Sequence, residues 1–219
     1  MARKLGLAMV TVVAVAAGGW FSLGGRSADP TLPGLGAAGA QTAAIEVPDM
    51  VLGNPESPVV LTEYASFTCP HCATFHGSVF KQLKADYIDT GKIKFVYREV
   101  FFDRYGLWAA MVARCGGDMR YFGISDILYS TQGEWSASND ATAVVENLRK
   151  IGRTAGMSNE QLDVCMQDAD MAQAMVAKFE KDTKADNIES TPSLVINGEK
   201  HSNMSYADLK KILDAKLAE

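Results

Sequence analysis

The chain has 219 residues, 47% of them hydrophobic, with 21 basic and 26 acidic side chains and a net charge of −5. That is enough apolar material for one globular domain with room for an inserted subdomain, and the acidic balance offers nucleic acid no basic surface. Four cysteines are too few to scaffold a chain this long, so a hydrophobic core must hold it together.

The first predicted element is an export leader. Met1-Ala2-Arg3-Lys4 is a basic start, and Leu5 to Leu23 carries no charge, close to the ~20 apolar residues of a spanning helix. Residues 1–25 are therefore expected to be a signal peptide or a membrane anchor. Residues 26–44 read as a flexible Gly/Ala/Pro linker, with a small-x-small cleavage signal at Ala38-Gly39-Ala40. Either route delivers the remainder, residues 45–219, to an oxidising compartment. Beyond residue 40 the chain keeps 18 basic and 25 acidic residues.

Residues 45–52 fit a short edge strand, closed by the turn Gly53-Asn54-Pro55-Glu56-Ser57-Pro58. A strand is predicted over 59–67, with Val59, Leu61, Glu63, Ala65 and Phe67 on one face. Glu63 is thus a carboxylate on an apolar face. It is either a strand-end acid that reaches solvent or pairs with Lys94, or a buried acid of raised pKa that exchanges protons with Cys72.

Next comes Cys69-Pro70-His71-Cys72, followed by Phe75, Val79, Leu83 and Tyr87 in one helical stripe. Two thiols at this spacing, the first at a helix N-terminus, suit dithiol-disulfide exchange. The positive end of the helix dipole and the unpaired N–H groups favour a thiolate on Cys69, and a protonated His71 adds to that field. Pro70 fits the first helical turn, where it loses no hydrogen bond. Zinc is the rival reading, through Cys69, Cys72 and His76, but no fourth ligand follows. Haem attachment would need His at 73, which is Ala. His76 is expected on the solvent side of the first helical turns.

A second strand is predicted over 92–100, completing a strand–helix–strand unit. Residues 103–187 then read as helical, broken at Gly116-Gly117, Gly133 and Gly156, with Asp140 and Ser158 as N-caps and a Ser158/Gln161 capping box. Cys115 aligns with Trp108 and Val112, and Cys165 with Leu162, Met166 and Ala169, so both face the interior of the helical layer. They are two buried free thiols or a structural disulfide, and export favours the disulfide. The chain returns to β structure at Ser193–Ile196, turns at Asn197-Gly198, and ends in a helix capped by Ser205 with Leu209, Leu213 and Leu217 inward.

Glu63, Cys69-Pro70-His71-Cys72, Thr191-Pro192 and the helical stretch between them resemble the DsbA-like branch of the thioredoxin superfamily, over residues 45–219. The resemblance implies an α/β fold, a thioredoxin-like sheet with an inserted helical subdomain at about 103–187 that covers the active-site face. It implies a cis-proline loop at Thr191–Pro192 beside the cysteines, with Thr191 offering its backbone to a peptide; the best-known members carry valine there. Some members also carry a second pair such as Cys115 and Cys165. The implied activity is that of a protein thiol-disulfide oxidoreductase, with no cofactor and no metal. Its substrates would be reduced exported proteins, and its reoxidant a DsbB-like quinone-linked membrane protein. It would be a periplasmic monomer, free or anchored to the inner membrane. A disulfide reductase or isomerase is the nearest alternative. A binding module with a structural disulfide at Cys69 and Cys72 is the non-enzymatic one.

Overall fold

A computed structural model describes residues 45–219; the predicted leader and linker lie outside the described residues. Five strands, β1 (Met50–Gly53), β2 (Val60–Ala65), β3 (Lys94–Glu99), β4 (Ser193–Ile196) and β5 (Glu199–Ser202), form one sheet in the order β1-β3-β2-β4-β5. β2 and β3 are parallel, with Leu61 opposite Phe95 and Glu63 opposite Tyr97; every other pairing is antiparallel. A parallel pair needs a crossover, and helix α1, residues 70–88, supplies it.

Sequence chemistry explains the turns. Gly53 closes β1 at φ +82°, and a Cβ there would lie 2.4 Å from the Ile93 carbonyl oxygen, so only glycine fits. Asn197 and Gly198 both have positive φ, as a two-residue hairpin requires, and the Asn197 side chain accepts a bond from the Val60 N–H at 2.7 Å. Strand β2 is buried on both faces. Leu61, Ala65 and Glu63 lie on the side of the main core, while Tyr64 packs with Val100 and Val195 on the other.

Helix α1 is not uniform, since His76–Phe80 and Lys84–Ile88 are π-helical turns. A four-residue stripe outruns the ~3.6 residues of an α-helical turn and drifts around the axis. The wider π turns take the drift back. Phe75, Leu83 and Tyr87 therefore all stay buried.

The helical layer runs through α2 (Arg104–Cys115), α3 (Asp118–Ser130), α4 (Gln132–Trp135), α5 (Ala141–Thr154), α6 (Asn159–Met166) and α7 (Ala169–Ala185), before α8 (Tyr206–Leu217) closes the chain. Asp103, Asp140, Ser158, Asp168 and Ser205 cap five of these helices, and Ser158 with Gln161 forms a full capping box. Gly133 is not a break: it is helical, and the chain bends at Thr131, whose hydroxyl bonds the Ile127 carbonyl. Leu217, in the last turn of α8, is exposed while Leu209 and Leu213 are buried.

Two covalent or ionic ties fasten this layer. Cys115 and Cys165 form a disulfide with Cα atoms 5.8 Å apart, joining the ends of α2 and α6; both residues are half-buried instead of interior. Closing a loop across 50 residues stabilises the fold by about 3–4 kcal/mol in the chain-entropy picture. Glu99, at the end of β3, receives a bidentate bond from Arg114 of α2 at 2.7 Å and one from the Tyr121 hydroxyl of α3 at 2.8 Å. Replacing Arg114 by Met strands the buried Glu99 carboxylate, and urea unfolding should show a loss of about 3–5 kcal/mol.

Candidate active site

The chain leaves β2 at Ala65 and turns through Ser66, Phe67 and Thr68 into α1. Cys69 is the N-cap, in extended conformation, with Pro70 at the first helical position. Its N–H bonds the Ser66 carbonyl at 3.1 Å and its carbonyl accepts the Ala73 N–H at 3.1 Å. This seats the Cys69 sulfur at the positive end of the helix. Pro70 and His71 face solvent beside it.

The two thiols meet opposite environments. Cys69 keeps 9% of its surface, and its Sγ donates to the Thr191 carbonyl oxygen at 3.5 Å. Cys72 has none. Burial pushes the Cys72 thiol far above its ordinary value; the neighbouring Thr191 hydroxyl pulls it down, and the Glu63 carboxylate pushes it up. The Thr191 hydroxyl is itself sealed from solvent with no hydrogen-bond partner of normal geometry. The Thr191–Pro192 bond is cis, and Pro192 is buried next to the site. The predicted residues Glu63, Cys69, Cys72 and Thr191 are thus brought together. Cys115 and Cys165 belong to the helical layer and take no part.

Glu63 neither reaches solvent nor pairs with Lys94. It is fully buried, and both its oxygens lie 3.1 Å from Nε2 of His76. His76 is therefore not on the solvent side of α1. Four residues after buried Cys72, it points inward, stacked on Tyr129 at 4.1 Å and on Phe80 at 4.5 Å between ring centroids. The spacing from Cys72 was the signal for it. Tyr97 and Tyr129 complete the pocket and share a hydrogen bond at 2.5 Å.

Two further residues hold the turn before Cys69. Gln132, buried at the start of α4, donates from Nε2 to the carbonyls of Phe67 at 2.7 Å and Cys69 at 3.0 Å. Asp103 caps α2 through the Gly106 N–H with one oxygen and accepts from the Thr68 hydroxyl at 2.8 Å with the other. Nothing local in the sequence marks Gln132, because its partners lie more than sixty residues away.

Residues 46–215 match the family model described as Thioredoxin. A Rickettsia bellii protein, provisionally named protein-disulfide oxidoreductase, is 38% identical over 179 residues, which cover 81% of this chain and 68% of that one. The crystal structure of Wolbachia pipientis alpha-DsbA1 is 26% identical and superposes with a TM-score of 0.73, covering 80% of this chain and 94% of that one. This chain belongs to the DsbA-like branch of the thioredoxin superfamily. The Bacillus subtilis protein named Disulfide bond formation protein D is 23% identical over 76% of each chain. This DsbA-like chain spans between 63% and 68% of the lengths of its similarly named Rickettsia relatives. The Rickettsia relatives are named for protein-disulfide oxidoreduction, and a dithiol at the start of one helix is a site suited to thiol-disulfide exchange.

Two outcomes test this geometry. In a Cys69→Ala variant, the fold keeps the Cys72 proton at pH values where the unfolded chain releases it. Stability relative to Cys69→Ala/Cys72→Ala should be level below about pH 8.5, the free thiol value, and then fall by up to ~1.4 kcal/mol per pH unit in urea titrations. Gln132→Met leaves two backbone carbonyls without their donor and should cost about 1–3 kcal/mol by the same measurement.

Proposed function

We propose that this chain introduces disulfide bonds into exported proteins, acting as an oxidant through Cys69 and Cys72. The observation that carries the reading is the asymmetry of the two sulfurs. Cys69 sits at a helix N-terminus and keeps 9% of its surface, and Cys72, one turn further on, keeps none.

The reaction starts from the oxidised pair. A substrate thiolate attacks the Cys69 sulfur, the Cys69–Cys72 bond breaks, and Cys72 leaves with the electron pair and takes up a proton. A second substrate thiolate then attacks the substrate sulfur of the mixed disulfide. Cys69 departs as thiolate, and two electrons have passed from substrate to enzyme. The helix dipole stabilises that thiolate, which favours the reduced enzyme and so makes the oxidised enzyme a strong acceptor.

Glu63, coupled electrostatically to Cys72, is the group that gives Cys72 its proton and takes it back. The Thr191 carbonyl, against the Cys69 sulfur, places the 191–192 backbone where an extended substrate segment would pair with it. The basic start and uncharged run of residues 1–25 support export to the periplasm, as a free or inner-membrane-tethered monomer. Reoxidation falls to a DsbB-like quinone-linked membrane protein.

Equilibration in glutathione buffers measures the Cys69–Cys72 potential. The expected value lies nearer the about −120 mV of a strong oxidant than the about −270 mV of thioredoxin, and the oxidised protein should restore native disulfides to a reduced exported substrate. A potential at the thioredoxin end would make it a reductase instead.

A further inference from the structure

We infer that His76 works with Glu63 as a charge-compensating pair, taking a proton from solvent at Nδ1 for each proton that Glu63 delivers to Cys72. The inference rests on the proton-exchange role proposed for Glu63 and adds the group through which that buried acid reaches water.

Glu63 has no exposed surface, and among the described residues its side chain has one hydrogen-bond partner, His76 Nε2, centred 3.1 Å from each oxygen. A lone carboxylate in such a place is costly when ionised, so it cannot simply surrender its proton to Cys72. The opposite ring nitrogen of His76 makes no bond to any described residue and is not one of the sealed, unpartnered polar atoms, and the residue keeps 4% of its surface, which leaves Nδ1 as the ring nitrogen through which the imidazole can reach water. Stacking between Tyr129 and Phe80 fixes the ring, so Nε2 stays on Glu63.

Imidazole is also the side chain that changes charge near neutral pH. The other titratable groups facing the pair are Cys72 from α1, Tyr97 from β3 and Tyr129 from α3. Burial holds both phenols well above their ordinary values, so they stay neutral and bond each other.

The protons balance over a cycle. In the oxidised enzyme Glu63 is protonated and His76 is neutral, with its hydrogen on Nε2. When the disulfide opens, the electron pair goes to the Cys72 sulfur, and Glu63 transfers its proton there. The new carboxylate is compensated as Nδ1 binds a proton from water, giving an imidazolium–carboxylate pair. Reoxidation reverses each transfer: the Cys72 proton returns to Glu63 and Nδ1 releases one to solvent. The Nε2 hydrogen never leaves, and the buried site keeps constant charge.

Two measurements on the 219-residue chain decide the matter. With 15N-labelled histidine, the three imidazoles are followed against pH in the oxidised and dithiol states. The His76 midpoint should lie higher in the dithiol state by about one pH unit or more, as coupled sites require; coincident midpoints would overturn the inference without any variant having to fold. The second is the rate at which dithiothreitol opens the Cys69–Cys72 bond, expressed per thiolate. In the native chain it should drop about tenfold or more as pH rises through the His76 titration. His76→Gln keeps a donor for Glu63 but cannot titrate, and it should be slow and flat. If Glu63→Gln loses the step and His76→Gln retains it, His76 is only an anchor and the inference fails alone. If Glu63→Gln also retains it, the role proposed for Glu63 fails with it.

Discussion

Strand β2 is hydrogen-bonded along both edges, parallel to β3 and antiparallel to β4, and the site depends on that double pairing. The register that sets Tyr64 opposite Ser193 brings the Thr191–Pro192 segment to the end of β2, where the chain turns toward Cys69. The register that sets Glu63 opposite Tyr97 places the acid on the face covered by α1. A slip of one residue would turn Glu63 to the far face and move Thr191 from the sulfur. Burial of both faces of β2 makes such a slip expensive, so the geometry around the thiols is enforced by the core.

Within that frame, two cysteines three residues apart acquire different chemistry from one helical turn. The first is held outside the helix at its positive end; the second lies inside the turn and against the sheet. Water reaches one and not the other. The same sealing that favours the Cys72 thiol leaves Glu63 dependent on a neighbour for charge balance, which is why the position of His76 matters.

The helical layer contributes rigidity where the sheet cannot. The turn between β2 and α1 has few sheet bonds of its own, and side chains from two inserted elements supply what is missing. Gln132 binds the carbonyls on either side of Thr68, and Asp103 takes its hydroxyl. Glu99, Arg114 and Tyr121 then bind the far end of β3 to α2 and α3. The insertion is thereby braced against the two strands that carry the site, and the Cys115–Cys165 disulfide ties its own helices together.

Much of this was readable from residue order. Period-two alternation marked β2 and β3 and the face of Glu63. The Cys-Pro-His-Cys motif at a strand–helix junction marked the redox pair. Asp140, Ser158 and Ser205 announced helix starts, and Asn197-Gly198 the hairpin, because each is a local matter of backbone and nearest neighbours. What residue order left open were contacts between distant segments. The partner of Glu63, the inward turn of His76 and the grip of Gln132 depend on which helix lies over which strand. The π turns of α1 shift a side chain around its helix by an amount that a fixed helical period does not contain. Local chemistry determined the elements and the reactive pair; only the packing of α1, α3 and α4 onto β2 and β3 decided which groups surround it, since burial and charge pairing act through space and not along the chain.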